Sequence, residues 1–476
     1  MQLKYDKGLL MTDGRLETDY LIVGSGAMGM AFTDVILTET DAHITIVDEH
    51  HKPGGHWNVA YPFVTLHQPS AYYGVSSREL SKGIKDEVGL NKGLNDLASG
   101  AEVSAYFDDV MNHQFLPTGR VKYFPMCRYE GDGNFRSKLS GKTTHITARE
   151  KIVDCTYLKT SVPATHTPNF TIGDNVNFMP LNDLPTISAP YAGYVVIGGG
   201  KTGIDACLWL LENNVPPDDI IWIVSRDAWL LDRQNTQPSE EFFTSSVGAQ
   251  AAQFEAAAAA TSIPDLFDRL EADGVLVRID KTVRPKMFHG ATVSQLELAA
   301  LRTLKNVVRL GHVIAIEEDR LVLEKGVIPT SQDHVHVDCS ASAVSNLASK
   351  PIFDGHIITP QTVRSYQPVF SASFIAHIEA TRGDEAEKNR LCQVVPLPNH
   401  DTDWLRMMVT FMTNQYNWGQ DKEIRAWLRD NRLDGFSKLV SEVDKKDTDK
   451  MEILARLRNN AFPAVTRLQE LLTEAS

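Results

Sequence analysis

The sequence predicts an α/β fold, and three of its features lead to that prediction. A buried strand, a glycine-rich turn, an apolar helix and a second buried strand follow one another between residues 19 and 48. The same succession returns between residues 194 and 226. The C-terminal part has the spacing of apolar residues that is typical of helices. The sequence therefore predicts two Rossmann-like dinucleotide-binding domains with a helical C-terminal region.

Length, composition and charge narrow the class of protein. At 476 residues the chain is too long for one ordinary hydrophobic core, so several packed units are expected. The formal net charge of -14 argues against nucleic acid as a partner, because phosphate backbones are bound mainly by Lys and Arg. No apolar run approaches the length of about 20 residues that a membrane-spanning helix needs. The charged N-terminal segment lacks a signal-peptide core, so we expect a cytoplasmic protein without a membrane partner.

The first glycine turn, in "DYLIVGSGAMG", has the spacing of a pyrophosphate-binding loop. Its GxGxxG pattern permits a tight turn, close approach of the backbone to a phosphate, and close packing of the helix on the strand. The helix that follows points the positive end of its dipole at the phosphates. The second strand, "HITIVD", ends in an acid that is placed to bind a ribose. The predicted contacts are Gly24, Ser25, Gly26, Ala27, Met28, Gly29, Asp48 and Glu49.

The second glycine turn, in "YVVIGGGKTGIDACLWLL", begins a similar unit whose second strand ends differently. The sequence "IVSRD" places Ser225 and Arg226 where the first unit has its acid. A guanidinium and a hydroxyl suit the 2′-phosphate of NADPH, which an acid would repel. The neighbouring Asp227 leaves NADH as an alternative. The predicted contacts are Gly198, Gly200, Lys201, Thr202, Gly203, Ser225 and Arg226.

The two units together resemble the FAD-binding and NADPH-binding parts of flavin-containing monooxygenases. In that family the ribose-binding acid is followed by a Gly-Gly pair and a tryptophan, and "KPGGHW" matches this order with Gly54, Gly55 and Trp57. The segment "SRDAWLLDR" is similar to the family's NADPH segment, with Arg226 at the 2′-phosphate ligand. The resemblance implies FAD and NADPH as cofactors. It adds to the FAD site Gly55, His56 and Trp57.

The same resemblance implies that the second unit is inserted into the first. The segment "KIVDCTYLKTSVPATHTPNF" has the form of a chain leaving the FAD domain, and "HVHVDCSASA" has the form of its return. We therefore predict an FAD domain at residues 1–187, an inserted NAD(P)H domain at 188–345, and completion of the FAD domain with helices at 346–476.

Four classes of two-dinucleotide flavoprotein have to be considered, and the cysteine pattern bears on one of them. Disulfide reductases need a cysteine pair near the flavin, and the sequence has no closely spaced pair, which argues against that class. The same spacing also argues against a zinc site. Monooxygenases and simple reductases or dehydrogenases both remain open. A flavin-binding redox sensor without turnover also remains, although two intact nucleotide motifs count against it. The five cysteines are Cys127, Cys155, Cys207, Cys339 and Cys392.

The segment "YPFVTLHQPSAYYGV" supports the monooxygenase class. In flavin-containing monooxygenases a comparable segment carries a Thr-Asn pair near the reactive carbon of the flavin, and the corresponding residues look like His67 and Gln68. A carboxamide can donate a hydrogen bond to a flavin hydroperoxide or to the substrate, so Gln68 is the main catalytic candidate, with a structural role as the alternative. His67 is the second candidate, and a structural role is again the alternative.

One fingerprint of that family is absent. The Phe-x-Gly motif with a following histidine is expected before the second glycine turn, where the chain reads "NFMPLNDLPTISAPYAGY". The prediction is an FAD- and NADPH-dependent monooxygenase that oxygenates a small organic substrate with O2. An FAD-dependent NAD(P)H reductase or dehydrogenase stays the alternative. We also expect "YQPVFSASFIAHIEA" to form either a core helix or a helix whose Ser371 or Ser373 contacts the flavin.

Overall fold

The computed structural model describes residues 16–158, 160–341 and 347–475. The predicted boundary at residue 345 and the charged N-terminal segment lie outside these ranges. The strands of this part are β1 (Leu16–Val23), β2 (Ile44–Val47), β3 (Gly74–Val75), β4 (Arg78–Glu79), β5 (Val121–Phe124), β6 (Cys127–Gly131), β7 (Asn134–Ser137), β8 (Thr143–Asp154), β9 (Thr171–Ile172), β10 (Phe178–Pro180), β11 (Gly193–Ile197), β12 (Ile220–Ile223), β13 (Ala228–Asp232), β14 (Leu276–Val277), β15 (Met287–Val293), β16 (Val307–Val308), β17 (Val313–Ile316), β18 (Arg320–Leu323), β19 (Gly326–Pro329), β20 (His334–Asp338), β21 (Phe353–Asp354) and β22 (Ile357–Ile358).

The helices lie between and after these strands, and the C-terminal part is helical as predicted. Shorter 3-10 turns connect several of them. The helices of the described part are α1 (Ala27–Glu39), α2 (Gly100–Val110), α3 (Lys201–Glu212), α4 (Phe243–Ala259), α5 (Ile263–Ala272), α6 (Gln295–Leu301), α7 (Pro368–Thr381), α8 (Glu385–Leu391), α9 (Asp403–Gln420), α10 (Lys422–Asp430), α11 (Ser437–Ser441) and α12 (Thr448–Glu474).

The first sheet has the strand order β21-β22-β8-β1-β2-β5, with the β6–β7 hairpin joined to β8. The pairings from β22 through β8, β1 and β2 to β5 are parallel. Such sheets are buried on both faces, which agrees with the buried run at residues 20–23 of β1 and with the fully buried β2. Helices α1 and α7 share one hydrophobic core with the sheet. The strands β21 and β22 come from beyond residue 346, so the first sheet includes strands from the C-terminal part, and the predicted domain division stays a prediction.

The second sheet has the strand order β10-β20-β11-β12-β16, and all of its pairings are parallel. Its first strand, β10, lies upstream of residue 188. The strand pairing of the second unit therefore begins before the predicted boundary, which itself stays a prediction. The prediction of an α/β fold with two Rossmann-like domains and a helical C-terminal region is confirmed.

A smaller sheet with the strand order β14-β13-β15 lies within the second unit. Helices α4 and α5 precede β15 and share a hydrophobic core with the C-terminal helices α9 and α12. An ion pair between Glu255 of α4 and Arg456 of α12, at 2.6 Å, also joins the two parts. This core attaches β15 to the C-terminal region. Among the described helices, none is long and apolar enough to cross a membrane.

Candidate functional site

The first glycine turn is packed too closely for side chains. A β-carbon at Gly29 would lie 2.0 Å from the carbonyl oxygen of Gly24, so helix α1 could not approach β1 with any other residue there. Across the turn, a β-carbon at Gly55 would lie 2.9 Å from the Cα of Gly26. The backbone N–H of Gly54 also donates to the carbonyl oxygen of Ser25 at 2.9 Å. The Gly-Gly pair is therefore part of the turn itself.

Asp48, at the end of β2, is held by donors on both of its carboxylate oxygens. Its Oδ2 accepts from the backbone N–H of Ser25 at 2.5 Å and from the Ser25 hydroxyl at 2.8 Å. Its Oδ1 accepts from the backbone N–H of His50 at 2.7 Å and contacts the His50 ring at 2.9 Å. Burial raises the pKa of this carboxyl, but these hydrogen bonds outweigh burial and hold the pKa below its usual range. Asp48 is therefore an ionised acceptor beside the turn.

A cavity of about 630 Å³, the first cavity, opens over this turn. Trp57 does not line it, but the Trp57 indole N–H donates to the hydroxyl of Tyr73, which does. Burial lowers the pKa of His56 to about 4, so its ring is neutral. The predicted residues that line the cavity are Gly24, Gly26, Ala27, Met28, Asp48, Glu49, Gly55 and His56.

The far end of the first cavity was not foreseen from the sequence. Ser365 and Tyr366, just before α7, line it, and their hydroxyl oxygens are buried without a hydrogen-bond partner in the described part of the chain. Tyr366 has a φ of 60°, which is strained for a residue with a side chain. Of the two expectations for this segment, the structure agrees with the core helix and not with a flavin contact of Ser371 or Ser373. Both are fully buried inside α7 and neither lines the cavity, so the helix points its N-terminal end at the cavity and not these serines.

A second cavity, of about 750 Å³, opens over the second glycine turn. Gly203 has a packing role like that of Gly29, because a β-carbon there would lie 2.0 Å from the carbonyl oxygen of Gly198. Lys201 forms an ion pair with Asp205, and the Tyr61 hydroxyl donates to Asp205 at 2.6 Å. The predicted residues that line this cavity are Gly198, Gly200, Lys201, Thr202, Ser225, Arg226 and His67.

Arg226 lies in the second cavity without a carboxylate partner in the described part of the chain. Its guanidinium donates to Oδ1 of Asn399 at 2.9 Å. The adjacent Asp227 does not line the cavity, because its carboxylate accepts from Arg309 through Nε at 2.9 Å and a terminal nitrogen at 3.1 Å. Asp227, the acid because of which NADH remained an alternative cofactor, is thus paired with Arg309.

His67 lines the second cavity, and its ring is held by the second unit. Its Nδ1 lies 2.9 Å from the hydroxyl of Thr292, and its carbonyl oxygen accepts from Nε of Arg233 at 2.9 Å. Burial, together with the charges of Lys201 and Arg233, lowers the pKa of His67 to about 3. His67 is therefore a neutral ring at ordinary pH.

Gln68 stands apart from both cavities. Its side chain is half-buried, does not line either cavity, and makes no hydrogen bond to the described residues. The catalytic roles of His67 and Gln68 stay predictions.

Strand β15 contributes residues to the linings of both cavities, which the sequence analysis did not predict. Its alternate residues Met287, His289 and Ala291 line the second cavity, as the two-residue period of a strand requires. His289 also lines the first cavity, so the cavities adjoin there. On the opposite face, Gly290 packs against Tyr366. The sequence of β15, MFHGATV, has the residue types of a strand but belongs to no recognisable motif, so it did not point to a site.

The five cysteines are thiols in the structure, and three of them line the two cavities. All five are free, and Cys127 and Cys155 line the first cavity while Cys339 lines the second. Burial raises the pKa of the thiols of Cys127 and Cys155, so both are protonated and weakly reactive. Within the described ranges, no group of three or more His, Cys, Asp or Glu side chains could hold a metal ion.

Comparison with curated proteins finds relatives over almost the whole chain. A protein of Mycobacterium tuberculosis (strain ATCC 25618 / H37Rv), "Uncharacterized protein Rv2000", is 45% identical over 461 residues, which cover 97% of this chain and 86% of the relative. "Uncharacterized protein Mb2023" of Mycobacterium bovis (strain ATCC BAA-935 / AF2122/97) matches with the same identity and coverage. No protein-family model matches the chain.

Comparison with solved structures finds similar folds at low sequence identity. A flavin-containing monooxygenase from Stenotrophomonas maltophilia matches at 13% identity with a TM-score of 0.43, covering 76% of this chain and 97% of that one. A cyclohexanone monooxygenase in an open form matches at 14% identity with a TM-score of 0.46, covering 79% and 92%. A bacillithiol disulfide reductase from Bacillus cereus matches at 12% identity with a TM-score of 0.41, covering 77% and 100%.

Proposed function

The chain belongs to the family of the Mycobacterium tuberculosis protein Rv2000, and we propose that it is an FAD- and NADPH-dependent monooxygenase acting on a small organic molecule. One observation carries the proposal. Two cavities are each built over a glycine turn on its own parallel sheet, and His289 of β15 lines both of them. Two dinucleotides bound there would lie near enough for electrons to pass between them.

The residues that line the first cavity are chemically suited to FAD. The glycine turn and the N-terminus of α1 suit a pyrophosphate, and the ionised Asp48 suits ribose hydroxyls. At the far end, the unpartnered hydroxyls of Ser365 and Tyr366 would find acceptors on the polar edge of a flavin ring. When bound, the flavin supplies the redox chemistry, and the protein positions it and controls access to it.

NADPH fits the second cavity better than NADH. Among the described residues Arg226 has no carboxylate partner, and a guanidinium of this kind binds phosphate strongly. Asp227, which would repel a 2′-phosphate, is held away by Arg309. Thr202 and Lys201 lie at the N-terminus of α3, where a pyrophosphate would be stabilised by the helix dipole.

The residues of this chain would also protect the reaction from water. Apolar side chains of Val395, Leu397 and Met407 line the first cavity beside two prolines of the same loop. A dry, apolar wall of this kind limits the loss of reactive oxygen species to solvent. Gln68 is the candidate donor to bound oxygen or substrate, because its carboxamide is free. In that role its loop would have to shift towards the first cavity.

A second candidate function is an FAD-dependent NADPH reductase or dehydrogenase without oxygen insertion. The position of Gln68 favours it, since this carboxamide does not line either cavity. Disulfide reduction has less support, because all five cysteines are free and scattered between the two cavities and the buried core.

Rapid mixing distinguishes the candidates. The enzyme is reduced anaerobically with NADPH and mixed with oxygenated buffer in the presence of NADP, while the flavin spectrum is followed. A long-lived absorbance that precedes oxidised flavin is expected of the monooxygenase. Direct return to oxidised flavin with stoichiometric hydrogen peroxide would favour the reductase, and failure of NADPH to reduce the flavin would contradict both.

A further inference from the structure

A third cavity, of about 470 Å³, adjoins the first cavity at the end where Ser365 and Tyr366 lie. The loop between α8 and α9 forms much of the shared wall and is fixed to the segment before Ser365. The N–H of Val395 donates to the carbonyl oxygen of Thr362, and the Thr362 hydroxyl donates to the carbonyl oxygen of Val395, both at 2.8 Å. The residues that line both cavities are Leu158, Thr362, Val395, Pro396 and Leu397. None of them belongs to the glycine turn, so a molecule in the third cavity would approach the proposed flavin ring and not the pyrophosphate.

The wall that the third cavity shares with the first is mostly apolar. Apart from Thr362, the shared residues have apolar side chains. Leu397 is 39% exposed although it is a large hydrophobic residue. Covering this surface with the apolar part of a bound molecule would be favourable, because apolar area is then removed from water. The shared wall therefore suits the apolar body of a ligand that lies beside the flavin.

The polar part of the third cavity lies at the start of α9. Among the described residues Asp403 is the only acid that lines this cavity, and its charge is already met by donors of the protein. Its Oδ2 accepts from the backbone N–H groups of Asn399 at 3.0 Å and His400 at 2.8 Å. Its Oδ1 accepts from a terminal nitrogen of Arg406 at 3.3 Å. Asp403 therefore does not require a cation from a ligand.

Two side chains in this polar part have donors to spare. Oδ1 of Asn399 accepts from the guanidinium of Arg226 at 2.9 Å, and because a guanidinium only donates, the position of the Asn399 oxygen is fixed. The amide nitrogen of Asn399 makes no hydrogen bond to the described residues. Arg406 uses one nitrogen on Asp403, and its side chain is 59% exposed. The third cavity thus offers an amide and a guanidinium to an acceptor on a ligand.

We propose that the third cavity binds an organic acid, whose carboxylate accepts from Arg406 and from the amide nitrogen of Asn399. The apolar body of the acid lies along Val395 and Leu397 towards the flavin. The proposal rests on the proposed binding of FAD to the first cavity, and it names the class of substrate that meets the flavin there. A carboxylate suits this site because its hydrogen bonds with a guanidinium are charge-assisted and stronger than those of a neutral acceptor. An amine would lack such a partner, because Asp403 is engaged.

The test measures binding to the oxidised holoenzyme, with NADP present so that the second cavity is occupied. The probes are the straight-chain carboxylates from butanoate to decanoate and the primary amides of the same lengths. Calorimetry gives the dissociation constants, and the flavin absorbance spectrum reports whether the ligand lies beside the ring. Each carboxylate should bind about tenfold more tightly than its amide. Affinity should rise about fourfold for each added methylene group until the apolar wall is covered.

Three variants locate the binding. Arg406→Gln should remove the preference for carboxylates and leave the affinity for the amides unchanged. Arg390→Gln is the matched control, since Arg390 is exposed and does not line the third cavity, and it should keep the preference. Leu397→Ala should reduce the gain in affinity per methylene group for acids and amides alike, while the preference for acids stays.

Four results would overturn the inference. They are equal affinity of acids and amides in the wild-type enzyme, an unchanged preference in Arg406→Gln, binding that leaves the flavin spectrum unaltered, and no saturable binding of any carboxylate. None of these results decides the proposed function, because the absorbance that follows rapid mixing with oxygen is measured without an acid. Conversely, Arg406-dependent binding that alters the flavin spectrum, together with direct return to oxidised flavin when the acid is bound, would support the acid site and contradict the monooxygenase.

Discussion

Gly290 lies directly against the ring of Tyr366, so that a β-carbon at position 290 would be 2.0 Å from Cε1 of the tyrosine. Both residues have positive φ angles, 68° for Gly290 and 60° for Tyr366. Gly290 belongs to β15, the strand whose His289 lines both cavities, and Tyr366 lines the first cavity. The contact thus joins the inserted unit to the end of the proposed flavin site.

Gly290→Ala should destabilise the protein by about 2 to 4 kcal/mol, because the added methyl group overlaps the ring and the backbone angle disfavours alanine. Urea unfolding followed by tryptophan fluorescence measures the effect. Gly383→Ala is the control, since nothing lies within 4 Å of a β-carbon there. Equal stability of the two variants would contradict the tight packing at Gly290.

Tyr366→Phe should weaken FAD binding about fivefold without lowering the stability of the apoprotein, because its hydroxyl has no protein partner to lose. Fluorescence titration of apoprotein with FAD gives the dissociation constant, and thermal unfolding gives the stability. Unchanged FAD affinity would mean that the hydroxyl does not face the flavin.

Arg226→Ala should raise the KM for NADPH between about tenfold and a hundredfold and leave the KM for NADH unchanged, because only NADPH carries the 2′-phosphate. Steady-state oxidation of the two nucleotides measures the effect. Asp227→Asn is the neighbouring control, since this carboxylate pairs with Arg309 outside the cavity. A gain in NADPH preference from Asp227→Asn would show that Asp227 reaches the nucleotide.

The Asp48–His50 pair should make stability depend on pH in a defined window. The pKa of His50 is raised above 6.5, chiefly by its hydrogen bond to Asp48, so its contribution is complete below pH 6.5 and is lost as pH rises through the raised value. The pKa of Asp48 is lowered below 3.8, so its contribution is complete above pH 3.8 and is lost as pH falls through the lowered value. The pair therefore stabilises the fold most between these limits.

His50→Gln tests this window. The difference in melting temperature between wild type and variant should be larger at about pH 6 than at about pH 8.5. His51→Gln, at an exposed neighbouring position, is the control. A difference that stays constant over this range would indicate that the pair does not ionise as described.

Gln68→Ala should speed the return of reduced flavin to its oxidised form in oxygen and leave anaerobic reduction by NADPH unchanged, because the carboxamide is proposed to act after reduction. Stopped-flow spectra of both half-reactions measure this. The oxidation rate of Gln68→Asn, which keeps a carboxamide on a shorter side chain, should lie between those of wild type and Gln68→Ala. Identical oxidation rates in all three proteins would favour the reductase.

Local signals were enough to predict the two units of strand, glycine turn and helix. A strand, a GxGxxG turn and a helix are adjacent in sequence. Because only glycine fits sterically at positions 29 and 203, the residue type itself marks the turn. Ser225 and Arg226 were likewise placed in the second cavity because they follow a strand that the pattern identified. For the serines of α7 the sequence left two alternatives open, since a uniformly apolar helix does not indicate which end faces a ligand.

The sequence by itself determined the α/β fold, the glycine turns and the charged residues that distinguish the second turn from the first. Only the tertiary structure decided how the two cavities meet. His289, Asn399 and Tyr366 are far apart in the chain and carry no motif, and packing of β15 against the C-terminal region brings them together. Contacts of this kind depend on which distant segments bury one another, and a local pattern of residues does not specify that.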